Sequence, residues 1–300
     1  MTTVRLAHFS DVHLTASPLG WRPRDLLGKR VTGWLNIKVL GRGRRFRDAP
    51  RIAAALGRDL RSRGLDGAVF SGDATRLAFE SEFAAAAASL GVCDPALPPV
   101  IAVPGNHDHY TRPAADAGLF EKYFNPWLTG TRVGSDVYPF ARRVGHVWLI
   151  GANSCTANRW HGDASGAFGP AQLDRLRHLC AGLDPGPRIL VTHYPLRTAA
   201  GHVEHRLHRL RDHAAALAAA VECGIGLWLH GHIHHGFILP PSRDVPFPVV
   251  CAGSTTQSNR LAYNEYTITD TRVTGRHRRY DARADSFQDA GEFALEIGNG

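Results

Sequence analysis

Seven side chains of metal-ligating type fall at five separated places in the chain. They are Asp11 and His13 in SDVHL, Asp73 in SGDAT, Asn106 in PGNHDHY, His193 in VTHYP, and His232 with His234 in HGHIHH. Two carboxylates, one amide oxygen and four imidazoles form a mixed N/O set. That set suits zinc, iron, manganese or cobalt, whereas calcium and magnesium prefer oxygen alone. Seven ligands are too many for one such ion and fit two ions sharing a bridging carboxylate, for which Asp73 is a candidate. Two ions roughly 3.5–4 Å apart can clamp the attacking and leaving oxygens of an in-line displacement. Water between them is acidic enough to be hydroxide near neutral pH. Each block alone has a bland explanation: DxH occurs by chance, GD after a strand is usually a turn, and THYP is commonly a core histidine. Their joint placement carries the argument.

That placement depends on the elements around them. Short apolar runs recur (VRLAHFS, GAVFSG, VIAVPG, VWLIGAN, RILVTH, GLWLHG, VVCAGS), several reading as strands buried on both faces. Helix-length segments lie between them: AAALGRDLRSRG, EFAAAAASLG, GPAQLDRLRHLCAGL with Pro170 in its first turn, and AALAAAVECG. Strand–helix alternation predicts an α/β domain. In an open α/β sheet ligands bind beyond the strand ends, which is where the candidate residues fall. YNEYTITD and TRVTGRHRRY read as antiparallel strands joined by a turn. No linker or repeat divides the chain, so one domain over 1–283 is expected, with 284–300 as a polar, frayed tail.

The chain's 300 residues, 44% apolar and 21% charged, are enough for a substantial core. No apolar run approaches the roughly 18 residues of a membrane span, and the N-terminus runs into a strand without a signal-peptide pattern. A cytoplasmic protein is expected, with a peripheral position on the inner membrane face as an extension of that reading. Five scattered cysteines without a CxxC pair suggest reduced thiols, not a thiolate metal site.

The net charge of +8 is local. Residues 21–47 hold nine Lys/Arg and one acid, Asp25, so the remainder sums to zero. Within this insert (about 20–47), Leu27, Val31, Trp34 and Leu35 share one helical face. Such a helix could lie on an anionic membrane with Trp34 at the interface, receive an acyl chain beside the site, or simply pack on the sheet. Nucleic acid is disfavoured, because no aromatic stacking platform is interleaved with the basic residues.

In the order DxH, GD, GNHD, H and GHxH, these blocks resemble the calcineurin-like metallophosphoesterase superfamily over residues 4–280. The resemblance implies a four-layer αββα sandwich of two mixed sheets with a dinuclear metal site at the strand C-terminal ends. It implies that Asp11, His13, Asp73 and His234 hold one metal ion, and that Asp73, Asn106, His193 and His232 hold the other (Mn, Fe or Zn). His107 would be the catalytic histidine, oriented by Asp108. His109 and His235 lie outside the pattern and read as surface or substrate-facing positions; His230 reads as buried or behind the ligands. GANSC, GAFGPAQLDRLRHL, THYP, LHGHIHHG and CAGSTT are similar to the class III cyclic-nucleotide phosphodiesterases, which implies phosphodiester hydrolysis. The insert is similar to that of lipid-directed bacterial members, including enzymes that cleave UDP-2,3-diacylglucosamine. A non-catalytic metal-binding scaffold is the reading from a different class.

Overall fold

A computed structural model describes residues 3–297 except Leu40 and His161. Two mixed sheets face each other. The first runs, edge to edge, β13 (Ser286–Glu296), β12 (Arg272–Asp281), β11 (Ala262–Ile268), β1 (Val4–Phe9), β2 (Gly67–Phe70) and β3 (Val100–Ala102). The second runs β4 (Thr131–Arg132), β5 (Phe140–Val144), β6 (Val147–Gly151), β7 (Arg188–Val191), β8 (Ile225–His230), β10 (Val249–Cys251) and β9 (Phe237–Leu239). β1, β2 and β3 are parallel, as are β6, β7, β8 and β10.

The period of two in the second sheet makes the layers. Val147 and Leu149 of β6 and Ile189 and Val191 of β7 join the cluster shared with Leu6, Phe9 and Val69 of the first sheet. Their alternates Trp148, Ile150 and Leu190 point to the opposite cluster. There they meet Leu173, Leu176 and Leu179 of α6 (Pro170–Ala181) and Ala216 and Ala219 of α7 (His213–Glu222). The first sheet is flanked by α2 (Ala49–Ser62) and α3 (Glu80–Leu90), which bury Ile52, Leu56, Leu60, Phe83 and Ala86. Short helices α4 (Arg112–Asp116) and α5 (Leu119–Phe124) follow, α5 lying against α3. The result is the expected helix–sheet–sheet–helix order, and each fully buried large apolar side chain contributes roughly 1.5–3 kcal/mol to it.

Two expectations fail. Residues 284–300 were expected to be a polar tail, yet β13 pairs with β12 along its length and buries Phe287 and Leu295, with Ile297 just beyond. Its middle, Gln288–Glu292, is exposed, because β13 is an edge strand whose outer groups meet water; that polarity is what mimics a tail.

The second is one of the insert's three readings, that of a helix packed on the sheet by its apolar stripe. Helix α1 (Lys29–Lys38) buries Arg30 and Gly33, not the apolar stripe. The Arg30 guanidinium donates to the carbonyls of Leu77 (3.0 Å) and Ala78 and to Asp25 Oδ1 (2.6 Å). A Cβ on Gly33 would come within 2.5 Å of the Tyr110 hydroxyl and 2.6 Å of Leu77 Cδ2, so a larger residue would have to push those side chains aside. Trp34 is half-buried, edge-on to Trp21, while Leu35 faces solvent. The Leu27 side chain lies outside the described residues. No helix among the described residues is long and apolar enough to cross a membrane.

Candidate metal centre

All seven candidate ligands converge where the two sheets' strand ends meet. Asp11 and His13 follow β1, Asp73 follows β2, Asn106 follows β3, His193 follows β7, and His232 and His234 follow β8. The strand ends cannot aim all of these groups at one point in ordinary backbone geometry. Asp11, His13, Asp73, His232 and His234 accordingly have φ of +52°, +43°, +61°, +69° and +58°. Left-handed geometry costs a non-glycine residue roughly 1–2 kcal/mol, and such strain collects at functional sites. Gly105 is required for a different reason: a Cβ there would lie 2.0 Å from Asp73 Oδ1.

The donor atoms form two groups. Ligand atoms of Asp11, His13, Asp73 and His234 all lie within 4.8 Å of one another. His13 Nε2 and His234 Nε2 are 3.0 Å apart, and His234 Nε2 is 3.2 Å from Asp11 Oδ1. In the second group Asn106 Oδ1 lies 3.1 Å from His193 Nε2 and 2.9 Å from His232 Nδ1. Asp73 Oδ2 stands between the groups, 3.4 Å from His13 Nε2 and 3.5 Å from His193 Nε2.

The proton inventory fits cations. His13 Nδ1 faces the Thr75 carbonyl (3.2 Å), His193 Nδ1 the Ser71 carbonyl (2.8 Å), His234 Nδ1 the Gln257 Oε1 (2.5 Å) and His232 Nε2 the His208 carbonyl (3.1 Å). Each acceptor claims that nitrogen's proton, so the other nitrogen presents a lone pair to the centre. Lone pairs then face lone pairs at about 3 Å, and buried Asp11 Oδ1 has no hydrogen-bond partner. Cations between them would satisfy such an arrangement.

Electrostatics agree. Burial, reinforced by the charges of Asp11 and Asp108, drives the Asp73 carboxyl well above its usual range. Burial drives His13, His193 and His232 below theirs. Bound cations reverse the logic for the carboxylate.

His107 is near but distinct. Its Nδ1 donates to the Arg76 carbonyl (2.7 Å), its ring stacks on Tyr110 (5.5 Å, 6°), and it meets His13 edge-on at 4.8 Å. Burial lowers its pKa to about 4. Asp108 does not reach this ring, contrary to expectation. Its carboxylate accepts from the backbone N–H groups of Gly105, Asp73, Ala74 and Thr75 and from the Thr75 hydroxyl, tying two ligand loops together. His109 is also unlike its surface reading, being buried 3.8 Å from Glu121. His235 is exposed beside Arg260, and His230 is buried.

Residues not singled out from sequence complete the site. Phe46 of the insert packs on His13 (4.7 Å) and His234 (5.9 Å). Gln257, in the polar run after β10, orients His234. A cavity of about 200 Å³ opens here between His107, His13, His234, Phe46, Ile37 and Arg45. The insert therefore forms one wall of the site.

The sequence matches a family model described as calcineurin-like phosphoesterase over residues 4–236. No match to a curated protein is significant. Among solved structures, a dimetal phosphatase from Danio rerio is similar at TM-score 0.65 and 12% identity, covering 98% of this chain and 99% of that one. A purple acid phosphatase from yellow lupin (Lupinus luteus) seeds aligns at TM-score 0.64 and 13% identity over 98% of this chain; this chain spans 54% of the lupin protein's length. GAP50, the anchor in the inner membrane complex of Plasmodium, aligns at TM-score 0.57 and 10% identity over 100% of this chain and 90% of that one.

Proposed function

We propose, for a chain that belongs to the calcineurin-like phosphoesterase family and is a metal-dependent phosphoester hydrolase, that the bond it cleaves is a phosphodiester. Asp11, His13, Asp73 and His234 would hold one transition-metal ion and Asp73, Asn106, His193 and His232 the other, with manganese, iron or zinc as the candidates. The observation that carries this is Asp73 Oδ2, within 3.4 Å and 3.5 Å of an imidazole nitrogen from each group. When bound, the ions acidify water and neutralise charge developing on the phosphoryl oxygens.

The chain's own part centres on His107. The bond from its Nδ1 to the Arg76 carbonyl fixes the ring, leaving Nε2 to hand a proton to the departing oxygen. Burial keeps the ring neutral at pH 7, and an arriving anionic ester favours its protonation. Tyr110 holds the plane of the ring. Asp108 is a positioning residue for the loops that carry Asp73 and Asn106.

The cyclic-nucleotide phosphodiesterase-like reading stands first, in a cytoplasmic protein. One observation favours a second: the insert, whose Ile37, Arg45 and Phe46 line the site, exposes Leu35 and Val39 on its outward side, which suits a membrane-lipid pyrophosphate such as UDP-2,3-diacylglucosamine. A non-catalytic scaffold would tolerate lost ligands; here none is lost.

The test is hydrolysis by manganese-loaded protein of 3′,5′-cyclic AMP, of UDP-2,3-diacylglucosamine in mixed micelles, and of bis(4-nitrophenyl) and 4-nitrophenyl phosphate, compared by kcat/KM. A higher value for the bis-ester than for the monoester is expected. Preference for the monoester, or no turnover, would overturn the diester reading.

A further inference from the structure

The insert presents two faces with different tasks. One lines the metal centre. The other is held outward: with Arg30 locked onto the Leu77 and Ala78 carbonyls and Gly33 against Tyr110, α1 cannot roll to bury its apolar side chains. Leu35 and Val39, one helical turn apart, are 44% and 73% exposed, and Leu26 in the preceding turn is 61% exposed. Trp160, 71% exposed, sits in a turn whose Asp163 carbonyl is 3.5 Å from Lys29 Nζ at the start of α1. Four of the five large apolar side chains exposed among the described residues thus lie on or beside the insert; the fifth, Val221, is on α7.

Charge surrounds this apolar strip. Asp25, the insert's one acid, is consumed by Arg30. Lys38, Arg44, Arg45 and Arg47 are exposed, and none has an acidic partner among the described residues.

We propose that the outer face of α1, with its basic flanks, docks the protein on an anionic lipid bilayer. Aliphatic side chains enter the headgroup region while Lys and Arg meet lipid phosphates, the two contributions that interfacial helices combine. A second copy of the chain would bring +8 against +8. Nucleic acid would find three aliphatic groups and one indole, Trp160, where it needs a series of stacking partners. The same insert walls the metal centre through Ile37, Arg45 and Phe46, and in linking docking to that site the proposal rests on the phosphodiester reading; the docking itself does not require turnover.

The test is cosedimentation of the metal-loaded full chain with vesicles of phosphatidylcholine alone or mixed with one-third phosphatidylglycerol. Binding is expected to the mixed vesicles only and to be released by high salt. Leu35→Ser with Val39→Ser should weaken it at least about tenfold. Lys38→Gln with Arg44→Gln and Arg47→Gln should weaken it about a hundredfold, and Val221→Ser should leave it unchanged. Equal binding by wild type and the α1 variants, or no binding to either vesicle, overturns the proposal, as does capture by acidic proteins without vesicle binding. Thermal melts exclude misfolding of the variants. Turnover of soluble bis(4-nitrophenyl) phosphate in the same samples separates failure of docking from failure of the phosphodiester reading.

Discussion

The strand-end loops and the insert depart from the usual partition of polar and apolar groups in opposite directions. The loops bury carboxylates and imidazoles with acceptor facing acceptor, on backbone strained at five of seven ligand positions. The insert buries an arginine and a glycine and turns leucine and valine outward. Neither is favourable for the isolated chain. In the loops the missing partner is cationic, and its contact atoms are already oriented. In the insert it is a surface, and only side-chain type and exposure are prepared. Local instability is thus informative about what lies outside the polypeptide: a point-like partner demands strained geometry, an extended one demands only an unburied face.

The largest expected effects fall on the loops. Asp73→Asn removes the one charge shared by both ligand groups and should leave the protein depleted of metal by elemental analysis and without detectable phosphoester turnover. Vesicle binding by the same variant should match wild type, because the insert is anchored through Arg30 and not through the metals. If losing the metals also abolished vesicle binding, the two regions would be one unit and the contrast drawn above would fail. His107→Ala should lower kcat by about 10²–10⁴-fold with metal content retained. Metal loss in that variant would instead place His107 among the groups that hold the ions.

Arg30→Met tests the insert's anchor. It strands Asp25, buried at 8% exposure, and two carbonyls without their donor. Breaking a buried pair from one side costs about 3–5 kcal/mol, and here the loss should appear as early proteolysis within residues 20–47. A melting temperature and cleavage pattern equal to wild type would mean that α1 is held by something other than its polar seam.

These differences also mark how far the sequence can be read. The site was legible because ligand type and strand-end position are both local: an apolar run followed by DxH or GNHD needs no knowledge of the partner strand. The sheets were legible through their period of two. The packing face of α1 was not, because the acceptors that draw Arg30 inward, Leu77 and Ala78, lie 47 and 48 residues away, and periodicity alone left open whether the apolar stripe meets a membrane, an acyl chain or the sheet. β13 was missed because an edge strand keeps a polar middle. The supposed pairing of His107 with Asp108 failed because neighbours in sequence diverge across a tight turn, one toward Arg76 and the other toward backbone amides. Gln257 could have been noticed as a polar residue following a strand run, but nothing in the sequence ties it to His234.

A smaller effect separates the regions by pH. His8 is buried in the first sheet between Tyr266 and Ser71 (3.0 and 2.9 Å), and burial lowers its pKa to about 3. Unfolded, it titrates near 6.5. As pH falls below 6.5 the unfolded chain takes up this proton and the folded chain does not. The contribution is therefore complete above that pH and is lost progressively down to about pH 3. At pH 5 the loss is about 2 kcal/mol, and His8→Gln should flatten that part of the profile in chemical denaturation. The insert contains no histidine, so proteolysis within residues 20–47 should not track this titration. An unchanged slope in His8→Gln would assign the acid sensitivity to other groups.

The smallest effect is the sharpest test of the insert. A buried leucine or valine truncated to a polar residue typically costs several kcal/mol, through lost transfer energy and a cavity. Leu35 and Val39 meet solvent, so Leu35→Ser and Val39→Ser should each change stability by no more than about 0.5 kcal/mol, measured by denaturant midpoint without lipid. The same substitutions should matter only when vesicles are added. A loss of 2 kcal/mol or more in lipid-free solution would mean that these side chains are already covered within the folded chain. The insert would then be an ordinary packed helix, differing from the loops only in carrying no ligands.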